Sequence, residues 1–193
     1  MVTLLMRALD AAFGHPRGVA GRLGGSIMAR GNREQERDAI AAAALSSGEC
    51  ALVIGHGPGL GVVLAAEAVS PGGHVIGVDP SDVMRTMAAE RCAGAIQTGD
   101  VELRTGSAEH TGCADGSADA AISVNNLMLW DRAAAFAELH RVLRPAGRLV
   151  VTVHRHVLDV EPGQLRAEAE AAGFVDVSVA FKDRAVELVG FRA

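Results

Sequence analysis

Ala51-Leu52-Val53-Ile54-Gly55-His56-Gly57-Pro58-Gly59-Leu60-Gly61 decides how this chain is read: a short apolar strand runs straight into four alternating glycines. Gly73-His74-Val75-Ile76-Gly77-Val78-Asp79 follows, a second apolar strand closed by an acid. Strand, glycine turn, helix and a second strand ending in a carboxylate make a nucleotide-binding half-sheet. Glycine is needed because the backbone turns sharply there and a ligand approaches where a Cβ would stand. The carboxylate suits the paired hydroxyls of a ribose.

Working outward, Glu34 to Leu45 reads as a helix stopped by Ser46-Ser47-Gly48. Strand one spans about 50–54, and a helix runs from about 60 to Ser70-Pro71-Gly72-Gly73. Pro80 and Ser81-Asp82 open a helix reaching about Gly94. Strands at 101–105, 120–124 and 148–154 alternate with helices at 131–142 and 162–172. The stretches 174–180 and 185–192 are two closing strands, separated only by Lys182-Asp183-Arg184. The pattern predicts a Rossmann-like three-layer α/β/α sandwich. Its seven-stranded sheet is mostly parallel, with right-handed crossovers and an antiparallel C-terminal hairpin.

The chain has 193 residues, 49% of them hydrophobic, which fits one α/β domain with a substantial core. Net charge is −5 with no basic block, so no nucleic-acid partner is expected. Residues 1–38 hold six Arg against four acids, whereas the remainder is acidic. This segment is expected to be an N-terminal helical arm or lid, with Met28, Arg30 and Asn32 near the crevice. A solvated Arg-rich helix face is the plainer alternative. Residues 39–193 form the domain itself. Cys50, Cys92 and Cys113 are odd in number and lack C-x-x-C spacing, so reduced thiols are expected, with neither disulfides nor a zinc site. With no secretory signal or membrane span evident, the expected location is cytoplasmic.

Four segments in order carry a family resemblance. Val53-Ile54-Gly55-His56-Gly57-Pro58-Gly59 is similar to the first motif of the class I S-adenosylmethionine-dependent methyltransferases, and Gly77-Val78-Asp79-Pro80-Ser81 to their ribose-binding second strand. Gly106-Ser107-Ala108-Glu109 with Asp115-Gly116-Ser117-Ala118-Asp119 resembles the adenine-side segment and the approach to strand four. Arg141 to Leu149, through Pro145 and Gly147, resembles the lead-in to strand five. The nearest flavour is the group that methylates quinone precursors, sterols and assorted small molecules.

The resemblance implies S-adenosyl-L-methionine as cofactor and a small-molecule acceptor methylated at O, N or C, mainly by in-line positioning. It places Gly55, His56, Gly57 and Gly59 along the methionine and ribose portion and Asp79 on both ribose hydroxyls. Pro80 borders the adenine, Ser107 and Ala108 meet its polar edge, and Asn125 lies beside the sulfonium. Asn126, Trp130, His154 and His156 are candidates for the substrate side, with His154 the one candidate base. Other readings stand beside these. Asp79 could serve as a helix N-terminal acid, Asn125 and Asn126 could cap a turn, and Trp130 could pack on the following helix. The histidines could simply line a cleft mouth.

Val53 stands where the family carries an acid, Ser107 where an Asp is common, and Thr111-Gly112-Cys113 where Leu-Pro-Phe is usual. Ala118 replaces a customary Phe. These departures leave a second reading open: a relative that keeps the fold but has lost methyl transfer and serves as a binding or scaffold domain. A nicotinamide-binding domain uses the same half-sheet, but its G-x-G-x-x-G is missing, since the sixth position from Gly55 or Gly57 is Leu60 or Val62.

Overall fold

The computed structural model describes residues 31–193, so Met28, Arg30 and most of the expected arm lie outside the described residues. Seven strands form one sheet: β1 (Cys50–Ile54), β2 (His74–Val78), β3 (Val101–Arg104), β4 (Ala118–Val124), β5 (Leu143–His154), β6 (Phe174–Lys182) and β7 (Ala185–Arg192). Their order is β3-β2-β1-β4-β5-β7-β6. The first five run parallel, while β7 is antiparallel to both β5 and β6. The helices are α1 (Arg33–Ala43), α2 (Leu60–Val69), α3 (Asp82–Arg91), α4 (Ala93–Thr98), α5 (Arg132–Val142) and α6 (Pro162–Ala171). The expected sandwich and its antiparallel hairpin are both present.

Two-residue alternation along the strands sorts side chains between the outer layers. In β1, Ala51 and Val53 pack with Val62, Ala65 and Val69 of α2. On the same face, Ala39 and Ala43 of α1 meet Ala120, Ile122 and Val150. Leu52 and Ile54 belong to the opposite layer, with Phe136 and Leu139 of α5 and Leu165 of α6. Phe136 and Leu139 are fully removed from water, each such side chain stabilising the fold by roughly 1.5–3 kcal/mol.

Two boundaries differ most from the sequence reading. The helix after Asp79 stops at Arg91, and α4 begins after Cys92. Cys92 is buried beside the Gly59 carbonyl, and Arg91 donates to the Pro58 carbonyl at 2.7 Å, so the chain is drawn down at this point. Strand β5 begins at Leu143 instead of near 148. Leu143 pairs with Ala118 and Arg148 with Ala120, so the intervening residues bulge outward, with Ala146 at φ 62°.

Helix α1 runs unbroken through positions 38 and 39 and is fastened at both ends. Gln35 Nε2 donates to Thr152 Oγ1 at 2.8 Å, and Arg148 Nε donates to the Ala43 carbonyl at 2.6 Å. Among the described residues no helix is long and apolar enough to cross a membrane.

Candidate functional site

Strand order reverses at β1, with β2 on one side and β4 on the other, and such a reversal opens a crevice at the carboxyl ends of the strands. A cavity of about 540 Å³ lies there, within the roughly 300–1,000 Å³ typical of small-molecule sites. Its lining follows the sheet. Ser107 and Ala108 come from beyond β3, Asp79 and Pro80 from the end of β2, and Gly55 and Gly57 from the end of β1. Asn125 and Asn126 follow β4, and His154 and His156 close β5.

The glycine turn and Asp79 build each other. Gly55 N extends the β1–β2 ladder by donating to Val78 O at 2.8 Å. Gly57 N donates to Asp79 Oδ2 at 2.9 Å and Ser81 N to Oδ1 at 2.8 Å, while Arg85 Nη1 donates to the Asp79 carbonyl at 2.6 Å. Asp79 is only 5% exposed. Each carboxylate oxygen therefore has one backbone donor and keeps acceptor capacity for a ligand. Gly57 sits at φ 52°, and a Cβ there would meet no protein atom within 4 Å. Gly59, the third glycine of the turn, is not among the residues lining the cavity. A Cβ on it would lie 2.8 Å from Ala88 Cα, so its smallness lets the turn pass close to α3.

His56 is a buried residue of the turn itself. Its ring is 3% exposed, with Nδ1 2.8 Å from the Gly57 carbonyl, which it donates to when that nitrogen carries the proton. Cδ2 is 3.0 Å from where a Cβ on Gly77 would stand, and Nε2 has no partner among the described residues. Burial holds its pKa below the usual imidazole range, against the pull of Asp79, so the ring is neutral near pH 7.

The two asparagines are engaged by the wall itself. Asn125, at φ 58°, exchanges hydrogen bonds with Gln35 of α1 (2.8 and 3.2 Å) and accepts from His154 N at 2.8 Å. Asn126 Nδ2 donates to Ile54 O at 2.9 Å, and its Oδ1 accepts from Ser123 Oγ at 2.7 Å. Its amide fills the space a side chain at Gly55 would need. Both line the cavity while pinning β4 to its neighbours.

On the far side, Trp130 combines its two readings: it borders the cavity and meets Phe136 edge-on, with ring centroids 6.1 Å apart. His154 and His156 stack with centroids 5.4 Å apart. His154 Nε2 lies 3.4 Å from Asn32 Oδ1, whereas Nδ1 is buried and unpartnered among the described residues. Burial, with help from His156 and Arg184, lowers the His154 pKa and keeps it neutral near pH 7. Among the described residues no group of three or more His, Cys, Asp or Glu is placed to hold a metal.

Hydrogen bonds hold the Thr111-Gly112-Cys113 loop where apolar packing was thinned. Thr111 N and Oγ1 donate to Glu138 Oε1 at 3.0 and 2.7 Å, and Arg141 Nη2 donates to Cys113 O at 2.8 Å. Burial alone would raise the Glu138 pKa, but hydrogen bonds from Arg141 and Thr111 outweigh it and bring the carboxyl to about 2.

Glu36 of α1 was missed by the sequence reading, yet it lines the cavity. Its signal was an acid three, four and seven residues before Ala39, Ile40 and Ala43, on the stripe that packs against the sheet. Met84, Met128 and Val157 add apolar wall that no motif announced.

Comparison with known proteins identifies the family. A family model described as a methyltransferase domain matches residues 52–151. The chain is 34% identical to an arsenite methyltransferase of Halobacterium salinarum over 171 residues, covering 76% of this chain but only 42% of that protein. It is 30% identical to YdaC, an uncharacterised methyltransferase of Bacillus subtilis, over 86% of this chain and 93% of that one. Among solved structures, a SAM-dependent methyltransferase from Aquifex aeolicus superposes with a TM-score of 0.72, covering 82% of this chain and 89% of that one. At 16% identity this likeness concerns the fold.

Proposed function

The chain belongs to the class I S-adenosylmethionine-dependent methyltransferases, and on that premise we propose that it methylates an O, N or C nucleophile of a small, mainly apolar acceptor. Asp79 carries this reading. Its buried carboxylate is oriented by Gly57 N and Ser81 N and retains an acceptor position on each oxygen, which fits the two hydroxyls of a ribose. The open space at Gly57 fits the same ligand. S-adenosylmethionine, when bound, supplies a methyl group on a sulfonium centre.

The chain's own contribution is binding and alignment. Pro80, Ser107 and Ala108 border the purine, and Gly55 and Gly57 let backbone approach the ribose and methionine. Asn125 and Asn126 keep the strand ends in register at the reacting end. Met128, Trp130 and Val157 receive the acceptor's apolar body, with His154 and His156 as a neutral polar edge. Holding a nucleophile in line contributes about 7–11 kcal/mol in favourable cases, so no base is obligatory. For a hydroxyl acceptor, neutral His154 is the group able to take the proton. Among the described residues no Lys, Arg or Cys lines the cavity. The chain's three cysteines, Cys50, Cys92 and Cys113, all lie outside the cavity, which disfavours an acceptor captured through thiolates as a soft arsenic species would be. Asn32 and Glu36 form one wall of the crevice, and the same reading takes the enzyme as cytoplasmic.

Calorimetric titration tests the proposal. S-adenosylmethionine and S-adenosylhomocysteine should bind and NADH should not; absence of binding by both sulfur compounds would remove the methyl-transfer reading.

A further inference from the structure

Three acids line the cavity: Glu36, Asp79 and Glu109. Asp79 holds Gly57 N and Ser81 N, and Glu109 accepts from Asp131 N. Glu36 has no hydrogen-bond partner for its carboxylate among the described residues. The carboxylate stands over Gly61 in the first turn of α2: a Cβ on Gly61 would collide with Glu36 Oε2 and lie 3.6 Å from Val53 Cγ1. Glu36 and Val53 thus flank one point, where β1 has just turned into α2. Burial pushes the Glu36 pKa to about 7, with Arg91 of α3 as the opposing positive charge. Arg91 directs its guanidinium to the Pro58 carbonyl, and His56, the other titratable group of the turn, is neutral. Glu36 is half-buried, so its carboxylate faces the cavity with part of its hydration lost, and a cationic ligand group relieves that cost.

Sheet order says which end of the cofactor arrives there. With the ribose on Asp79 at β2 and the purine toward Ser107 beyond β3, the amino-acid end extends the other way, over β1 and β4. That is the side roofed by α1. We propose that Glu36 binds the α-ammonium of the cofactor's methionine portion, supplying from α1 the acid that position 53 lacks on β1. The assignment rests on the methyltransferase reading and makes α1 part of the cofactor site.

Calorimetry with S-adenosylhomocysteine and with 5′-methylthioadenosine, which keeps the nucleoside but lacks the amino-acid end, tests it. Glu36→Gln should weaken S-adenosylhomocysteine about 10- to 100-fold, as expected for loss of a charge-assisted hydrogen bond, and leave methylthioadenosine within about twofold. Glu36→Asp should fall between wild type and Glu36→Gln. Titrations near pH 7 in buffers of different ionisation enthalpy should show proton release on S-adenosylhomocysteine binding to wild type and none to Glu36→Gln. Equal losses on both ligands would make Glu36 a wall residue only and overturn the proposal, as would no loss on either. Wild type that binds methylthioadenosine as tightly as the homocysteine compound also overturns it. Wild type that binds neither ligand overturns the methyltransferase reading and this assignment with it.

Discussion

Replacing Asp79 by Asn tests the centre of the site with almost no change of shape. In the wild type, Gly57 N and Ser81 N each approach a different oxygen of one carboxylate, at 2.9 and 2.8 Å. Asn retains a single acceptor oxygen, so one of these donors must face an NH₂ group. Hydrogen bonds to a charged group contribute about 1.5–3 kcal/mol, so the free protein should lose roughly that much stability. The ligand loses more. Two ribose hydroxyls that donated to two anionic oxygens now find one neutral acceptor, a loss of about 2–4 kcal/mol, or roughly 30- to 700-fold in affinity. Titration with S-adenosylhomocysteine measures the affinity and thermal unfolding the stability. A 2′,3′-dideoxyribose analogue separates the two effects: it should bind wild type weakly and lose little further in the variant, because the lost contacts are shared. Affinity for the parent ligand within threefold of wild type, alongside a lowered Tm, would mean that Asp79 only orders the turn, and the ribose assignment would fall.

Two further outcomes follow from the scaffold around the site. The folded pKa of Glu138, about 2, lies below its ordinary 4.5, so its contribution is fully present above about pH 4.5 and is lost as pH falls toward 2. Discounted for the partly exposed Arg141, that contribution is roughly 1–3 kcal/mol; Glu138→Gln should flatten the acid limb of the urea midpoint against pH, and an unaltered limb would refute it. Asn126→Ala leaves the Ile54 carbonyl and the Ser123 hydroxyl without their 2.9 and 2.7 Å partners, at a cost of about 2–4 kcal/mol. Urea unfolding should show that loss, together with weaker S-adenosylhomocysteine binding as the turn at Gly55 loosens; an unchanged midpoint would contradict the pinning role.

The fold was legible because its cues are local. Alternating glycines after an apolar run announced the turn, and the polar stretch 182–184 is too short for anything but a hairpin. The break at Cys92 and the early start of β5 were not legible, since both depend on contacts across the fold: Arg91 with Pro58, and Leu143 with Ala118. In the site, Asp79, Gly55 and Gly57 could be named from motif spacing, and the structure puts all three on one cavity. Glu36 could not be named that way, because it lies outside every motif and reaches the turn only when α1 packs against α2 and the sheet. Asn125 and Asn126 were recognised by position, but their partners, Gln35 and Ile54, are 90 and 72 residues away and set what their amides do.

The placement of β7 between β5 and β6 has a consequence for how the chain is made. During synthesis β6 emerges before the strand that is its sole neighbour, so it waits as an unpaired ribbon while the parallel part of the sheet can already assemble. β7 then joins two partners at once, and Arg192 at its far end reaches the Leu143 and Arg141 carbonyls where β5 begins. The eight-residue β7 works as a stitch between β5 and β6, and a chain cut short before Ala185 would leave one edge of β5 and both edges of β6 open to pairing with other chains.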